Sequence, residues 1–294
     1  MTEFIQSLVD GVALGSLYAL AALGIGLVFG VMRLVNFAYG ELITAAAYTL
    51  LLTKDLPVGL RIILALAVAV ALSLIMEFIF RPLRVATPAT MLVTTFAISF
   101  MLQNVAVLVF GTRGESMNFL PDLNKAFEIG DIRIRWITVV SIVAGAGLLS
   151  ATAYVLNRTD IGLQMRAAAA DFRTARLLGV KATRVIVFAF ALSGVLAAVV
   201  AMMLAVQRPL ATPSFGFLVV IPALVGVVVG GLDRLLPATI GGFLIGFATV
   251  IISDLLPSES RVFLNSALFG LVIVVLLVRP NGLFIQGAAS GERL

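Results

Sequence analysis

Side chains that could do chemistry are few in this chain, and they fall into three groups. The first is the stretch Gly162 to Arg184, GLQMRAAAADFRTARLLGVKATR; from Arg158 to Arg184 the chain carries six basic residues against two acids, Asp160 and Asp171. The second is Asn36 and Glu41, set in Gly30-Val-Met-Arg-Leu-Val-Asn36-Phe-Ala-Tyr-Gly40-Glu41 between two apolar segments. The third is Thr94, Thr95, Ser99, Gln103 and Asn104; Thr95, Ser99 and Gln103 stand at i, i+4 and i+8, so they form one stripe on a helix. Catalysis has little to work with. The chain has no cysteine and no histidine, which removes structural zinc, histidine-ligated haem, thiol nucleophiles and serine hydrolases with a histidine base. It has no GxxxxGK[ST] loop for ATP, no paired aspartates for metal-bound diphosphates and no Gly-x-Ser-x-Gly elbow. Few charges fall at mid-membrane depth, so a proton or sodium relay is not evident. The groups that remain offer hydrogen bonds along a path and a basic surface: a pathway without its own engine.

The elements that must position these groups are membrane helices. Of 294 residues 61% are hydrophobic and only 12% charged, where a soluble domain carries about 25% charged residues. Mean hydropathy is +1.15. Apolar segments at 7–29, 40–53, 57–80, 89–110, 136–156, 184–206, 214–231, 236–256 and 262–278 mostly have the length that a helix needs to cross a bilayer. The second and seventh are short. The expected fold is all-α, a polytopic transmembrane bundle of about 8–10 spans with broken or re-entrant helices, forming one domain over 1–294 with a cytoplasmic loop at 158–184. The N-terminus, MTEFIQSLVDG, has acids where a signal peptide has a basic region. Most of the +5 net charge comes from arginines flanking spans, so nucleic acid is not an expected partner. Placing the 158–184 loop inside also puts Arg33, Arg81, Arg84, Arg234, Arg279 and Arg293 inside, 12 of the 20 basic residues. The positive-inside rule then places the C-terminus inside and the N-terminus outside.

Each group has a plain structural reading beside a functional one. The basic loop is either a topogenic positive-inside loop or a docking element; the Ala167 to Ala170 run and Ala175, Leu177 and Leu178 favour a short helix, which Gly179 stops. Asn36 and Glu41 either cap the following helix and complement its dipole or mark a broken helix facing a cavity. The Thr95 stripe serves interhelical bonding or a path for a small polar solute. Glu77 and Asp254 lie near span ends and are expected to reach the interface. Gln207-Arg208-Pro209 and Thr212-Pro213 read as an outer re-entry turn. The pairs Gly11/Gly15, Gly26/Gly30, Gly226/Gly230 and Gly242/Gly246 have the spacing of close helix packing. A weak internal echo lays Met32 to Gly40 on Asp233 to Gly241.

Three stretches resemble the permease subunits of bacterial high-affinity branched-chain amino acid ABC importers. Arg33-Leu-Val-Asn36-Phe-Ala-Tyr-Gly40-Glu41 is similar to that family's Asn-Phe-Ala-His-Gly signature. Met165-Arg-Ala-Ala-Ala-Ala-Asp171 through Ala175-Arg-Leu-Leu-Gly179-Val resembles its coupling loop. Val229-Gly-Gly231 through Ile240-Gly-Gly242-Phe-Leu-Ile-Gly246, with Arg279-Pro-Asn-Gly-Leu-Phe284, completes the likeness, which spans essentially the whole chain and looks like the shorter of the family's two permease types. Tyr39 stands where the family usually has histidine, and Gly231-Leu-Asp-Arg-Leu-Leu-Pro237 replaces its usual Gly-Gly-x-Gly-Ser turn.

The resemblance implies a non-catalytic, multi-pass inner-membrane subunit that needs no cofactor or metal. It would pair with a second, related permease and two cytoplasmic ATPases, and an extracytoplasmic binding protein would deliver leucine, isoleucine or valine. Carried onto this chain, the ATPase-coupling helix covers Ala168, Ala169, Asp171, Ala175, Leu178 and Gly179. Polarity and depth suggest Asn36, Glu41, Thr95, Ser99 and Gln103 for the path. The alternatives are a same-family importer for urea, amides or other small organic solutes, or a self-contained channel or carrier.

Overall fold

The computed structural model describes residues 2–129, 132–231, 234–279 and 282–284. Among the described residues seven helices are long and apolar enough to cross a membrane: α1 (Thr2–Met32), α3 (Val58–Phe80), α4 (Pro88–Phe110), α5 (Trp136–Arg158), α8 (Ala182–Gln207), α10 (Leu235–Leu255) and α11 (Leu264–Val278), the last continuous with a 3-10 turn over Ser258–Phe263. Two more apolar helices, α2 (Tyr39–Leu52) and α9 (Phe217–Gly230), have 14 residues each. At 1.5 Å per residue they reach about 21 Å, short of the roughly 30 Å hydrocarbon core. These are the nine expected segments, and the two short ones are half-helices. The fold is an all-α polytopic membrane bundle.

The two ends of the bundle differ. At one end a hairpin pairs β2 (Ala126–Ile129) with β3 (Ile132–Arg135), and the Arg133 amide donates to Gln6 Oε1 at 3.1 Å near the start of α1. The two-residue strands β1 (Glu115–Ser116) and β4 (Leu210–Ala211) pair at the same end. The opposite end carries α6 (Asp160–Ala170) and α7 (Phe172–Leu177). There the Arg33 Nη2 donates to the Ala169 carbonyl at 3.0 Å, tying the end of α1 to α6. Gln6, Lys125 and Arg133 thus lie at the far end from Arg33 and the basic loop, the separation that the charge distribution implies. Arg293 lies outside the described residues.

Re-entry is built by the chain after α1. Arg33 takes φ 54°, a left-handed conformation that ends the helix, and residues 33–38 run back into the protein. The Asn36 Oδ1 accepts the Ala38 amide at 3.1 Å, starting the turn that becomes α2. Tyr39 is fully buried against Gly24 of α1, where a Cβ would strike its hydroxyl. The chain does the mirror of this after α8: β4 leads into Thr212–Gly216, which descends to start α9. The expected re-entry turn is therefore present, after the β4 strand that pairs with β1. Gly40 and Gly216 meet back to back, and a Cβ on Gly216 would collide with the Gly40 carbonyl.

Packing repeats about this point. Helix α1 packs on α10 as α8 packs on α3; α2 packs on α3 as α9 on α10; and α2 meets α8 as α9 meets α1. Helices α1–α4 and α8–α11 are thus inverted copies related by a pseudo-two-fold axis between Gly40 and Gly216, the architecture that places sites at discontinuous helices. The sequence echo has to be corrected accordingly. Its partner segment begins at Asp233, outside the described residues, whereas the stretch that occupies the position of Asn36-Phe-Ala-Tyr-Gly40 is Thr212-Pro-Ser-Phe-Gly216.

Small residues form the seam between α1, α9 and α10. A Cβ on Gly226 would lie 2.5 Å from the Gly242 Cα, one on Gly246 2.7 Å from the Gly15 Cα, and one on Gly242 2.5 Å from the Ala22 Cβ. Such approach gains dispersion where lipid offers no hydrophobic drive. Gly30 faces open space, so the Gly26/Gly30 pair does not serve this purpose.

Candidate functional site

Helix α4 packs on α2 with its polar stripe turned inward. Ser99 Oγ donates to Glu41 Oε1 at 2.8 Å, and Gln103 Nε2 donates to the same oxygen at 2.9 Å. Gln103 also reaches Ser99 Oγ at 3.3 Å. Lower on the stripe, Thr95 Oγ1 donates to the carbonyl of Val35 in the re-entry at 3.1 Å, and to Leu92 O at 2.9 Å. The i, i+4, i+8 spacing places all three α4 side chains over the break between α1 and α2. Thr95, Ser99 and Gln103 therefore join Glu41 in one cluster, with Asn36 in the adjoining turn. The interhelical reading of the stripe describes contacts that are present, whereas Asn36 is not the cap of α2: the N-cap is Ala38, without a side-chain cap bond, and Asn36 instead accepts the Ala38 amide in the turn before the helix.

Glu41 stands out within that cluster. It is 4% exposed, its hydrogen-bond partners are the neutral Ser99 and Gln103, and no salt bridge to it occurs among the described residues. An acidic side chain at a helix centre in a membrane costs about 2.5–3.5 kcal/mol. Glu77 is different: it is also buried but pairs with Arg81 at 2.9 Å, at the α6 end.

Two cavities border the cluster, one at Gln103 and one at Glu41. One, about 390 Å³, lies between α4 and the second re-entry, and Gln103, Asn104, Thr112, Thr212 and Ser214 give it a neutral polar lining. The other, about 230 Å³, runs along α2 from Glu41 and Thr44 to Thr49 and Leu52, walled by α3 and α4. Thr44 was not singled out by sequence. Its Oγ1 donates to Gly40 O at 3.1 Å and accepts the Gly216 amide at 2.9 Å, so it joins the two half-helices. The signal lay in the spacing of Glu41, Thr44 and Tyr48, which share one helical face. Among the described residues no cluster of histidine, cysteine or acids could hold a metal ion.

The basic loop folds as two helices rather than one. Asp171 breaks the run: its Oδ1 accepts the Thr174 amide at 3.1 Å and its Oδ2 bonds the Thr174 hydroxyl at 2.5 Å, capping α7. Gly179, at φ 90°, ends the segment as expected. Ala168 and Ala175 are each 3% exposed and face the protein's own core. Ala169 is half-buried and holds Arg33 through its carbonyl. Leu177 and Leu178, by contrast, are 83% and 81% exposed at the tip of the loop.

Residues 7–278 match the family described as the branched-chain amino acid transport system permease component. The chain belongs to that family. This permease is 30% identical over 296 residues to the high-affinity branched-chain amino acid transport system permease protein BraD of Pseudomonas aeruginosa, covering 96% of this chain and 95% of the relative. It is also 30% identical over 299 residues to the LivH permeases of Salmonella typhimurium and Escherichia coli K12, covering 95% of each chain. A multi-pass permease with seven full spans is an integral inner-membrane protein, and its role is transport rather than catalysis.

Proposed function

We propose that this permease is one of two membrane subunits of an ATP-binding cassette importer for leucine, isoleucine and valine. It works with a second permease, two cytoplasmic ATPases and an extracytoplasmic binding protein. The observation that carries the reading is the joint presence of a polar break at Asn36–Glu41, braced by the α4 stripe, and a bare Leu177–Leu178 tip at the opposite end of the fold. The names of the relatives supply the substrate class.

In this reading ATP closure is delivered at α7. Leu177 and Leu178 sit in a groove of one ATPase, with Ala168, Ala169, Asp171, Ala175 and Gly179 shaping the element that presents them. The burial of Ala175 makes an Ala175→Glu change a poor test, because it would disturb the loop's own packing as well as docking. Cargo passes along the cluster of Asn36, Glu41, Thr95, Ser99 and Gln103.

The test is ATP-driven uptake of labelled leucine into liposomes holding all subunits and the binding protein. The double change Leu177→Asp and Leu178→Asp is expected to cut uptake at least about tenfold, as loss of a central interface anchor does, with insertion and pairing of the permeases intact. Uptake by the permease alone, without ATPases, would make the protein a channel or carrier instead.

A further inference from the structure

Glu41 Oε1 accepts from both Ser99 and Gln103, whereas Oε2 accepts no hydrogen bond among the described residues. The side chain lines the 230 Å³ cavity along α2. A second polar group on the same wall is also unsatisfied. Tyr48 is 4% exposed and its hydroxyl has no partner among the described residues, although its ring is held by stacking on Phe110 at 4.0 Å between centroids. Apart from Thr44, Thr49 and Phe110 the rest of the wall is aliphatic, with Leu72 from α3 and Leu102 and Val105 from α4.

A buried carboxylate needs a cation or several donors. This one has two neutral donors on one oxygen, none on the other among the described residues, and lines an open cavity. A space of this size, apolar except for a carboxylate and hydroxyls, complements a small aliphatic molecule with one cationic end. We infer that Glu41 receives the ammonium group of an aliphatic α-amino acid, with the branched side chain against Leu72, Leu102 and Val105. Ser99 and Gln103 are positioning residues that turn Oε2 toward the cavity. The permease itself then reads the amine of its cargo. This rests on the import reading above and adds to it a binding site within the membrane.

The absence of native cysteine makes the site directly testable. Thr49→Cys places a thiol on the cavity wall, and its rate of modification by N-ethylmaleimide is measured in the complete reconstituted transporter. Three probes are compared: leucine, 3-methylbutylamine, which has only the amine, and 4-methylpentanoate, which has only the carboxylate. Leucine and the amine are expected to slow labelling about tenfold at about ten times their Kd, as mass action gives, and the acid to leave it unchanged. The protection is expected to vanish with Glu41→Gln. If that variant does not assemble, Ala106→Phe, which fills the cavity from α4, is expected to abolish protection as well. Protection by the acid equal to that by the amine, or protection that survives either change, overturns the inference. No protection by any probe also overturns it. Leucine uptake in the same vesicles separates the two readings: intact uptake without protection removes the site alone, and protection by the amine without uptake removes the import role alone.

Discussion

Thr44 does two jobs with one hydroxyl. It donates to Gly40 O within α2 and accepts the amide of Gly216 from the other half of the molecule. Thr44→Val keeps the shape but leaves the buried Gly216 amide without an acceptor, a loss of about 1–3 kcal/mol. The expected result is a lower unfolding temperature in detergent for Thr44→Val and a near-normal one for Thr44→Ser; equal values would mean that the amide finds another partner. At this scale the sequence was partly legible. Glu41, Ser99 and Gln103 announced themselves as polar groups in apolar helices, and helical spacing joined the two α4 residues in one stripe. Thr44 did not, because threonine inside a membrane helix usually bonds its own turn, as Thr49 does with Ala45 O at 2.8 Å.

Helix α7 is short and exists because its ends are fixed. Asp171 caps one and Gly179 turns the chain at the other. Asp171→Ala removes the cap, which is worth about 0.5–2 kcal/mol to a helix. Amide exchange across 172–177 should then quicken, while α8 keeps its protection; unchanged exchange in α7 would show that packing of Ala175 holds it without the cap. Element lengths followed from hydropathy because the bilayer sets them, so all nine apolar segments stand where the runs of residues put them. The division of the basic loop was hidden. Ala167 to Ala170 and Ala175 to Leu178 read as one helix by propensity, and only the side-chain bonds of Asp171 separate them. The internal repeat was hidden for another reason. Asn36-Phe-Ala-Tyr-Gly40 and Thr212-Pro-Ser-Phe-Gly216 share an identical residue only at the glycine, since close approach demands glycine at that point and little else is constrained.

For the whole molecule, the inverted halves fix which loops share an end. The hairpin at 126–135 and the start of α1 lie together, opposite α6 and α7. With the charge rule this puts Glu128 outside and Arg176 inside. A membrane-impermeant maleimide added to intact spheroplasts should label Glu128→Cys and leave Arg176→Cys untouched until the membrane is broken. The reverse pattern would invert the orientation of the chain. Helices α4 and α11 are the least buried of the seven spans, so they are the members of each half with most surface left for lipid or a second permease.

The hydrogen bond from Arg33 to Ala169 makes the molecule a linkage rather than a tube. The residue that ends α1 is fastened to the helix before the exposed leucines, and the chain beyond it runs straight to Asn36 and Glu41. A displacement of the loop would pull on the re-entry directly, without first bending a full span. The strut is short and the polar cluster sits at its far end, so under the proposed docking a small stroke at the Leu177–Leu178 tip would be geared to the buried carboxylate of Glu41.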